Sequence, residues 1–413
     1  MAFHPTRDAR HPALAALELD LSAELAQLGW QGLRRHLSAA EEAGPTRLVL
    51  DGKCYLNFAS NDYLGLAQHG EVREAAKAAI DRFGVGSGAS RLVTGSHRLH
   101  AELEAKIAEW KRVPRALAFS SGYAAALGTI PALVGPRDLV ILDKLAHACL
   151  IDGARLSGAE MRVYPHQNLG RLESLLKANA GPGDNRKILV VTESIFSMDG
   201  DRADLQALVD LKDRYGAWLL VDEAHGVGMF GDAGEGLISF LGLQGRVELQ
   251  MGTLSKAVGV SGGYLAGGSV LIDYLVNRAR SFIYSTAPPP VLAAAALAAI
   301  RIIEAPEGTQ LRRRLWANVD ELRRALANRA VPEPASAIVP LKVGGEKDAL
   351  AASAALKDAG IWVPAIRYPT VARGKARLRV TVSAAHSPDM IARLGQALRT
   401  ILPVPDGARP DAV

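Results

Sequence analysis

The sequence predicts an α/β fold, with a mainly parallel sheet flanked by helices and a smaller α+β unit toward the carboxyl end. Three observations carry this. Five apolar runs of strand length end in polar residues: ALAF before Ser120, LVIL before Asp143, ILVV before Thr192, WLLV before Asp222 and VELQMG before Thr253. Continuous apolar runs of this kind suit strands buried on both faces of a parallel sheet. Helical stretches separate them; in the clearest, Asp204 is placed to cap a helix with Leu205, Leu208 and Val209 on one face, and Gly216 ends it before WLLV. After the break at Pro332 to Ser336 the pattern changes to IVPLKV, an amphipathic helix near 349–360, and RLRVTVS. There Leu378, Val380 and Val382 alternate with polar residues, as in a sheet buried on one face.

In chain order, the first forty residues read as helical with mixed polarity, and Asp51-Gly52 is a hairpin turn between two β-like runs. A helix is expected over 71–83, then a glycine-rich loop from Phe83 to Arg91. The strand and helix alternation fills 116–268, broken by an exposed loop at Ala178 to Lys187. Beyond Pro288 to Pro290, Leu311, Leu315, Val319, Leu322 and Leu326 form the apolar stripe of a helix packed on a sheet. The expected division is a helical and β segment over 1–60, a large domain over 61–300, an α+β domain over 301–402 and a disordered tail over 403–413.

A chain of 413 residues, 49% hydrophobic and 22% charged, can bury a large core. Its 48 basic and 43 acidic residues are interspersed, with no basic block carrying interleaved aromatics, so nucleic acid is not an expected partner. Cys54 and Cys149 are too few for a disulfide framework and lack metal-ligand spacing, which favours a reducing, cytoplasmic setting without a metal. The start, MAFHPTRDARHP, has no apolar core of a secretion signal, and the longest apolar stretch, Val291 to Ile300, is too short to span a bilayer.

Three short motifs match unrelated chemistry and fail on context. Gly259 to Gly263 fits a serine-hydrolase elbow but lacks the strand before it and the helix after it. Gly226 to Gly231 fits a dinucleotide fingerprint, yet DAGEG follows where a helix should open. DEAH at 222–225 has no phosphate-binding G-x-x-x-x-G-K-[ST] loop to accompany it.

The polar residues at the ends of the apolar runs converge instead, because ligands of open α/β sheets bind beyond the carboxyl ends of the strands. Lys256, in TLSK, lies downstream of Asp222 and His225 in VDEAH. Alone, a lysine after a strand is most often a solvated surface residue. Together these three supply what pyridoxal phosphate needs: an amine to bond its aldehyde, a carboxylate for its ring nitrogen and a polar partner for its ring oxygen.

With these residues placed, the chain resembles the α-oxoamine synthases among the fold-type I pyridoxal-phosphate enzymes, over about Arg34 to Leu398. The landmarks are ASNDYLGL from Ala59, GVGSGASRLVTGSHRLHAELE from Gly84, FSSGYAAA from Phe119, HACLIDGARLSGA from His147, ESIFSMDGD from Glu193, VDEAHGVG from Val221, TLSKAVGVSGGY from Thr253 and FIYSTAPPP from Phe282. The resemblance implies a seven-stranded sheet and condensation of an amino acid with an acyl thioester, with loss of CO2. The segment Trp362 to His386, with AIRYPTV and ARLR, looks most like the member that joins L-alanine to a pimeloyl thioester. A sister synthase using glycine or serine is the alternative, and a cofactor-free supporting subunit a third reading, against which Lys256, Asp222, His147 and His225 all argue.

The implied roles follow residue by residue. Lys256 bonds the cofactor and moves the Cα proton; Asp222 serves the ring nitrogen, while His225 and Ser197 serve the ring oxygen. His147 stacks on the ring and can donate a proton to the thioester carbonyl. The backbone amides of Gly122 and Tyr123, with Thr253, suit the phosphate. Ser285 and Thr286 reach the phosphate of a neighbouring subunit, which implies a homodimer with shared active sites. Arg367 is the expected clamp for the amino-acid carboxylate, assisted by Asn61. Thr370 and Arg34, or Arg35 one position on, match contacts to the acyl substrate.

Overall fold

The computed structural model describes residues 12–181, 185–326 and 335–401. The tail expected to be disordered, 403–413, lies outside the described residues, as does most of the proline-containing break at 332–336. A seven-stranded sheet forms the centre, in the order Arg115–Phe119, Gly263–Gly267, Leu249–Thr253, Trp218–Asp222, Ile188–Glu193, Leu139–Asp143 and Glu160–Tyr164. All five expected strands are present. Gly263–Gly267 runs antiparallel to both of its neighbours, and the other pairings are parallel. Glu160–Tyr164 was not anticipated because it is an edge strand: Arg162 and Val163 are exposed, so no continuous apolar run marks it.

The apolar runs are continuous because both faces of the sheet are covered. Along Leu139–Asp143, Leu139 and Ile141 enter one hydrophobic core, while Val140 and Leu142 enter the other. Leu219 and Val221 divide from Leu220 in the same way on Trp218–Asp222. Each fully buried side chain of this size contributes about 1.5–3 kcal/mol.

The helix Leu205–Tyr215 forms as its sequence requires. Asp204 accepts the Ala207 N–H at 3.1 Å, Leu205, Leu208 and Val209 are buried, and Gly216 closes the helix at φ 64°. The Asp51-Gly52 turn joins the strands Arg47–Leu50 and Lys53–Asn57, with both turn residues at positive φ, as a two-residue hairpin needs. At the amino end the helix covers Pro12–Trp30 and buries none of its residues. The glycine motif at 226–231 lies in consecutive turns, and 259–262 is a loop leading into Gly263–Gly267.

Toward the carboxyl end, Ile338–Gly344, Ala376–Thr381 and Ala365–Ile366 make an antiparallel sheet packed by the helices Glu346–Asp358 and Pro388–Ile401. One expectation is corrected here. Ala376–Thr381 is buried along its whole length, so its polar side does not face water. Arg377 reaches Asp199 and the Met198 carbonyl, and Arg379 reaches the Ser197 carbonyl. The alternating face docks on the large sheet's loops and carries charge toward them. No helix among the described residues is long and apolar enough to cross a membrane.

Candidate active site

The site forms at the carboxyl edge of the central sheet. Asp222 ends its strand, lies opposite Glu193 on one neighbour and Met251 on the other, and is 4% exposed. Its Oδ1 accepts the Ala224 N–H at 2.9 Å, which turns the chain so that His225 points back into the cleft. Beyond Leu249–Thr253, the Thr253 hydroxyl donates to the Gly262 carbonyl at 2.9 Å and Ser255 Oγ lies 2.7 Å from it. This tight return places Lys256 Nζ 2.8 Å from His225 Nε2.

A chain of hydrogen bonds continues from there. His225 Nδ1 is 2.5 Å from the Tyr63 hydroxyl, Tyr63 donates to Asn61 Oδ1 at 3.3 Å, and Arg379 Nη1 donates to the same oxygen at 3.1 Å. His225 thus bridges the Tyr63 hydroxyl through Nδ1 and the Lys256 amine through Nε2. Burial keeps this arrangement neutral: it pushes His225 well below the usual imidazole range and raises the Tyr63 phenol to about 12. Burial also lowers the Lys256 amine to about 8, against the pull of Asp222 and Glu193. The Asp222 carboxyl is raised by burial, opposed by Lys256.

The helix Gly122–Leu133 opens beside this network. Ser121 caps it by accepting the Ala124 N–H at 3.0 Å, and the N–H groups of Gly122 and Tyr123 have no partner among the described residues. A side chain at Gly122 would sit 3.6 Å from Thr253 Cβ, and one at Gly263 would lie 2.3 Å from the Gly122 nitrogen. Two free amides and bare backbone therefore make a cradle for an anion, with the Thr253 and Ser255 hydroxyls at its edge.

The remaining expected residues fall into three groups. His147 caps the helix Ala148–Ser157, its Nδ1 accepting the Cys149 N–H at 3.3 Å with Cys149 Sγ at 3.0 Å, and burial lowers its imidazole below the usual range. Ser197 is buried, and its carbonyl accepts from Arg379 Nε at 2.6 Å. At a second place, Arg367 donates to the Gly32 carbonyl and Arg35 Nη2 to Thr370 Oγ1 at 3.4 Å, while Arg34 is exposed. Ser285 and Thr286 occupy a surface turn; Thr286 bridges to Ser90, and the two residues line a small recess with Arg91 and Ser120. No cluster of metal-ligating side chains occurs among the described residues.

This fold and this site define a fold-type I pyridoxal-phosphate enzyme. Residues 53–398 match the family described as aminotransferase class I and II, and the chain belongs to it. Within that family it belongs with the 8-amino-7-oxononanoate synthases: it is 47% identical over 387 residues to that of Methylobacterium sp. strain 4-46, covering 94% of this chain and 97% of the relative. It is 47% identical over 367 residues to that of Citrifermentans bemidjiense, covering 88% and 93%. Among solved structures it is similar to serine palmitoyltransferase from S. paucimobilis, with TM-score 0.86, 31% identity and coverage of 92% and 97%. It is also similar to 8-amino-7-oxononanoate synthase from Francisella tularensis, with TM-score 0.72, 28% identity and coverage of 84% and 96%.

The residues present fit pyridoxal phosphate. The anion cradle, an amine lowered to about 8 and a buried carboxylate lie together, and the second Asp222 oxygen takes no hydrogen bond within the described residues. Tyr63, Ser255 and Arg379 were not singled out from the sequence. All three lie inside quoted segments, Arg379 as the last residue of ARLR, but the alternation there assigned it to a solvent face.

Proposed function

We propose that this chain condenses L-alanine with a pimeloyl thioester to give 8-amino-7-oxononanoate, CO2 and the free thiol, in biotin synthesis. The observation that carries this reading is the 47% identity to enzymes of that name across nearly the whole chain, joined to an intact lysine, aspartate and histidine set. Serine palmitoyltransferase shares the fold at 31% identity only.

Pyridoxal phosphate, when bound, supplies the electron sink for the bond broken at the amino acid's Cα. Gly122, Tyr123, Thr253 and Ser255 would hold its phosphate, Asp222 its ring nitrogen, and His225 with Ser197 its ring oxygen. Lys256 would be the residue that holds it covalently and moves the Cα proton, for which an amine lowered to about 8 is suited near neutral pH. His225, 2.8 Å from that amine, would keep it aimed, and His147, at the start of the helix it caps, would cover the cofactor ring.

Arg379, with Asn61, takes the amino-acid carboxylate, because its Nη2 has no partner among the described residues and its network leads to Lys256. Arg367 has its Nη1 committed to the Gly32 carbonyl and lies with Arg35 and Thr370, where Arg34 also emerges. That basic group suits the distal carboxylate of the acyl chain. Thiol release measured for glycine, alanine and serine against acetyl-, succinyl-, pimeloyl- and palmitoyl-CoA tests the substrate. Alanine with pimeloyl-CoA should give the highest kcat/KM; another pair ahead by about tenfold, about 1.4 kcal/mol of transition-state binding, would remove the assignment.

Ser285 and Thr286 act from one subunit on the phosphate of the other in a homodimer. Mixing an inactive Lys256→Ala chain with an inactive Ser285→Ala/Thr286→Ala chain should restore activity in hybrid dimers. A monomer in solution would defeat this.

A further inference from the structure

One buried acid in the site has no part in the reaction above. Glu193 ends the strand Ile188–Glu193, is 2% exposed, and its Oε1 has no hydrogen-bond partner among the described residues. In the parallel ladder it lies opposite Asp222, so the two carboxyls leave the same face of strands about 4.8 Å apart. The groups that face it are the Asp222 and Asp143 carboxyls, the Lys256 amine, the His147 backbone N–H and the Cys149 thiol.

The two other acids are provided for. Asp143 accepts from His166 Nδ1 at 2.9 Å and from the Leu145 and Gln167 amides, and Asp222 accepts from the Ala224 amide. Glu193 accepts only from the His147 backbone N–H, with no side-chain donor among the described residues. Two ionised carboxylates on adjacent strand ends, away from water, repel each other; each accepts one backbone amide, and Glu193, whose Oε1 is sealed from water without a donor among the described residues and which faces two other carboxyls, keeps its proton.

We propose that Glu193 is a further positioning residue: a neutral carboxylic acid at working pH, whose proton leaves Asp222 as the one carboxylate charge facing the ring nitrogen of pyridoxal phosphate. This rests on the cofactor reading above. Burial first, and the Asp222 charge second, hold its carboxyl well above the ordinary range. A charged Glu193 would instead compete with Asp222 for the ring nitrogen and for Lys256.

Infrared spectra of the cofactor-free protein at neutral pH test this directly. Wild type should show a protonated-carboxyl band that moves on 13C-glutamate labelling and vanishes in Glu193→Gln. The labelled wild type carries the test even if the variant fails to fold. In the holoprotein, Glu193→Gln, neutral and of the same shape, should bind pyridoxal phosphate within about twofold of wild type and keep the pH profile of its visible absorbance. Glu193→Ala should bind at least about tenfold more weakly, because a polar wall is replaced by a cavity beside Asp222. Absence of the glutamate band, or a Glu193→Gln profile displaced by about one pH unit or more, would overturn the inference. Failure of wild type to develop any cofactor absorbance would strike the cofactor reading instead.

Discussion

Replacing Arg379 with lysine separates a guanidinium that recognises substrate from one that merely ties two segments together. Its Nε donates to the Ser197 carbonyl at 2.6 Å, and Nη1 to Asn61 at 3.1 Å and Thr381 at 3.0 Å, while Nη2 has no partner among the described residues. A substrate carboxylate can gain two charge-assisted hydrogen bonds there, at about 1.5–3 kcal/mol each. Lysine keeps the charge but offers a point donor in place of the fork. The expected loss is about 2–4 kcal/mol, or about 30- to 1,000-fold in kcat/KM for alanine. Steady-state kinetics with alanine varied at saturating thioester measure it, with pyridoxal-phosphate affinity and thermal melting as controls for folding. Arg367→Lys should act on the thioester KM instead. If Arg379→Lys stays within about threefold for alanine while Arg367→Lys suffers the loss, the assignment of the two arginines is reversed.

Lys256→Ala should abolish condensation, and borohydride reduction should no longer fix pyridoxal phosphate to the chain. General-base loss alone accounts for about 10²–10⁴-fold, and turnover near wild type would rule the residue out. Gly263→Ala places a methyl group 2.3 Å from the Gly122 nitrogen and 2.4 Å from the Ser121 carbonyl carbon, so strand and cradle must part. Overpacking of this kind costs about 1–3 kcal/mol, and we expect a lower Tm with pyridoxal-phosphate affinity weakened about tenfold or more; unchanged affinity would separate the cradle from the phosphate. His166 bridges Asp143 and Asp201 at 2.9 and 2.7 Å. Burial opposes its charge, but these two carboxylates raise it from 6.5 to about 10. Its stabilising charge is therefore fully present below pH 6.5 and is lost as pH rises through about 10. The stability gap between wild type and His166→Gln in urea melts should shrink from pH 6.5 to 10; a constant gap would mean the imidazole stays neutral.

The large sheet was legible because burial on both faces writes the same message at every position. Leu139 through Leu142 are apolar although alternate residues enter different cores, and no arrangement with a wet face demands that. Glu160–Tyr164 escaped notice for the converse reason: at the sheet edge Arg162 and Val163 meet solvent, and period and hydrophobicity both fade. Gly263–Gly267 is short and bounded by glycines set by close backbone approach, Gly263 to Ser121 and Gly122 and Gly267 to Glu248, which a strand-propensity reading discounts.

In the site, legibility followed sequence proximity to a strand end. Asp222, His225, Thr253 and Lys256 each stand within four residues of the end of a continuous apolar run, so topology alone brings them together. Tyr63 and Arg379 do not. Tyr63 meets His225 across 162 residues and Arg379 meets Asn61 across 318, through contacts between separately folded layers. The alternation of Leu378, Val380 and Val382 correctly marked the apolar face of their strand. It could not say whether the other face meets water or another layer, since arginine and threonine satisfy both. The distinction lies in the partners: Arg379 is buried only because the Ser197 carbonyl, Asn61 and Thr381 are there to accept its protons. A buried arginine whose acceptors come from the segments that frame Lys256 is therefore bound to the reaction by the same hydrogen bonds that permit its burial.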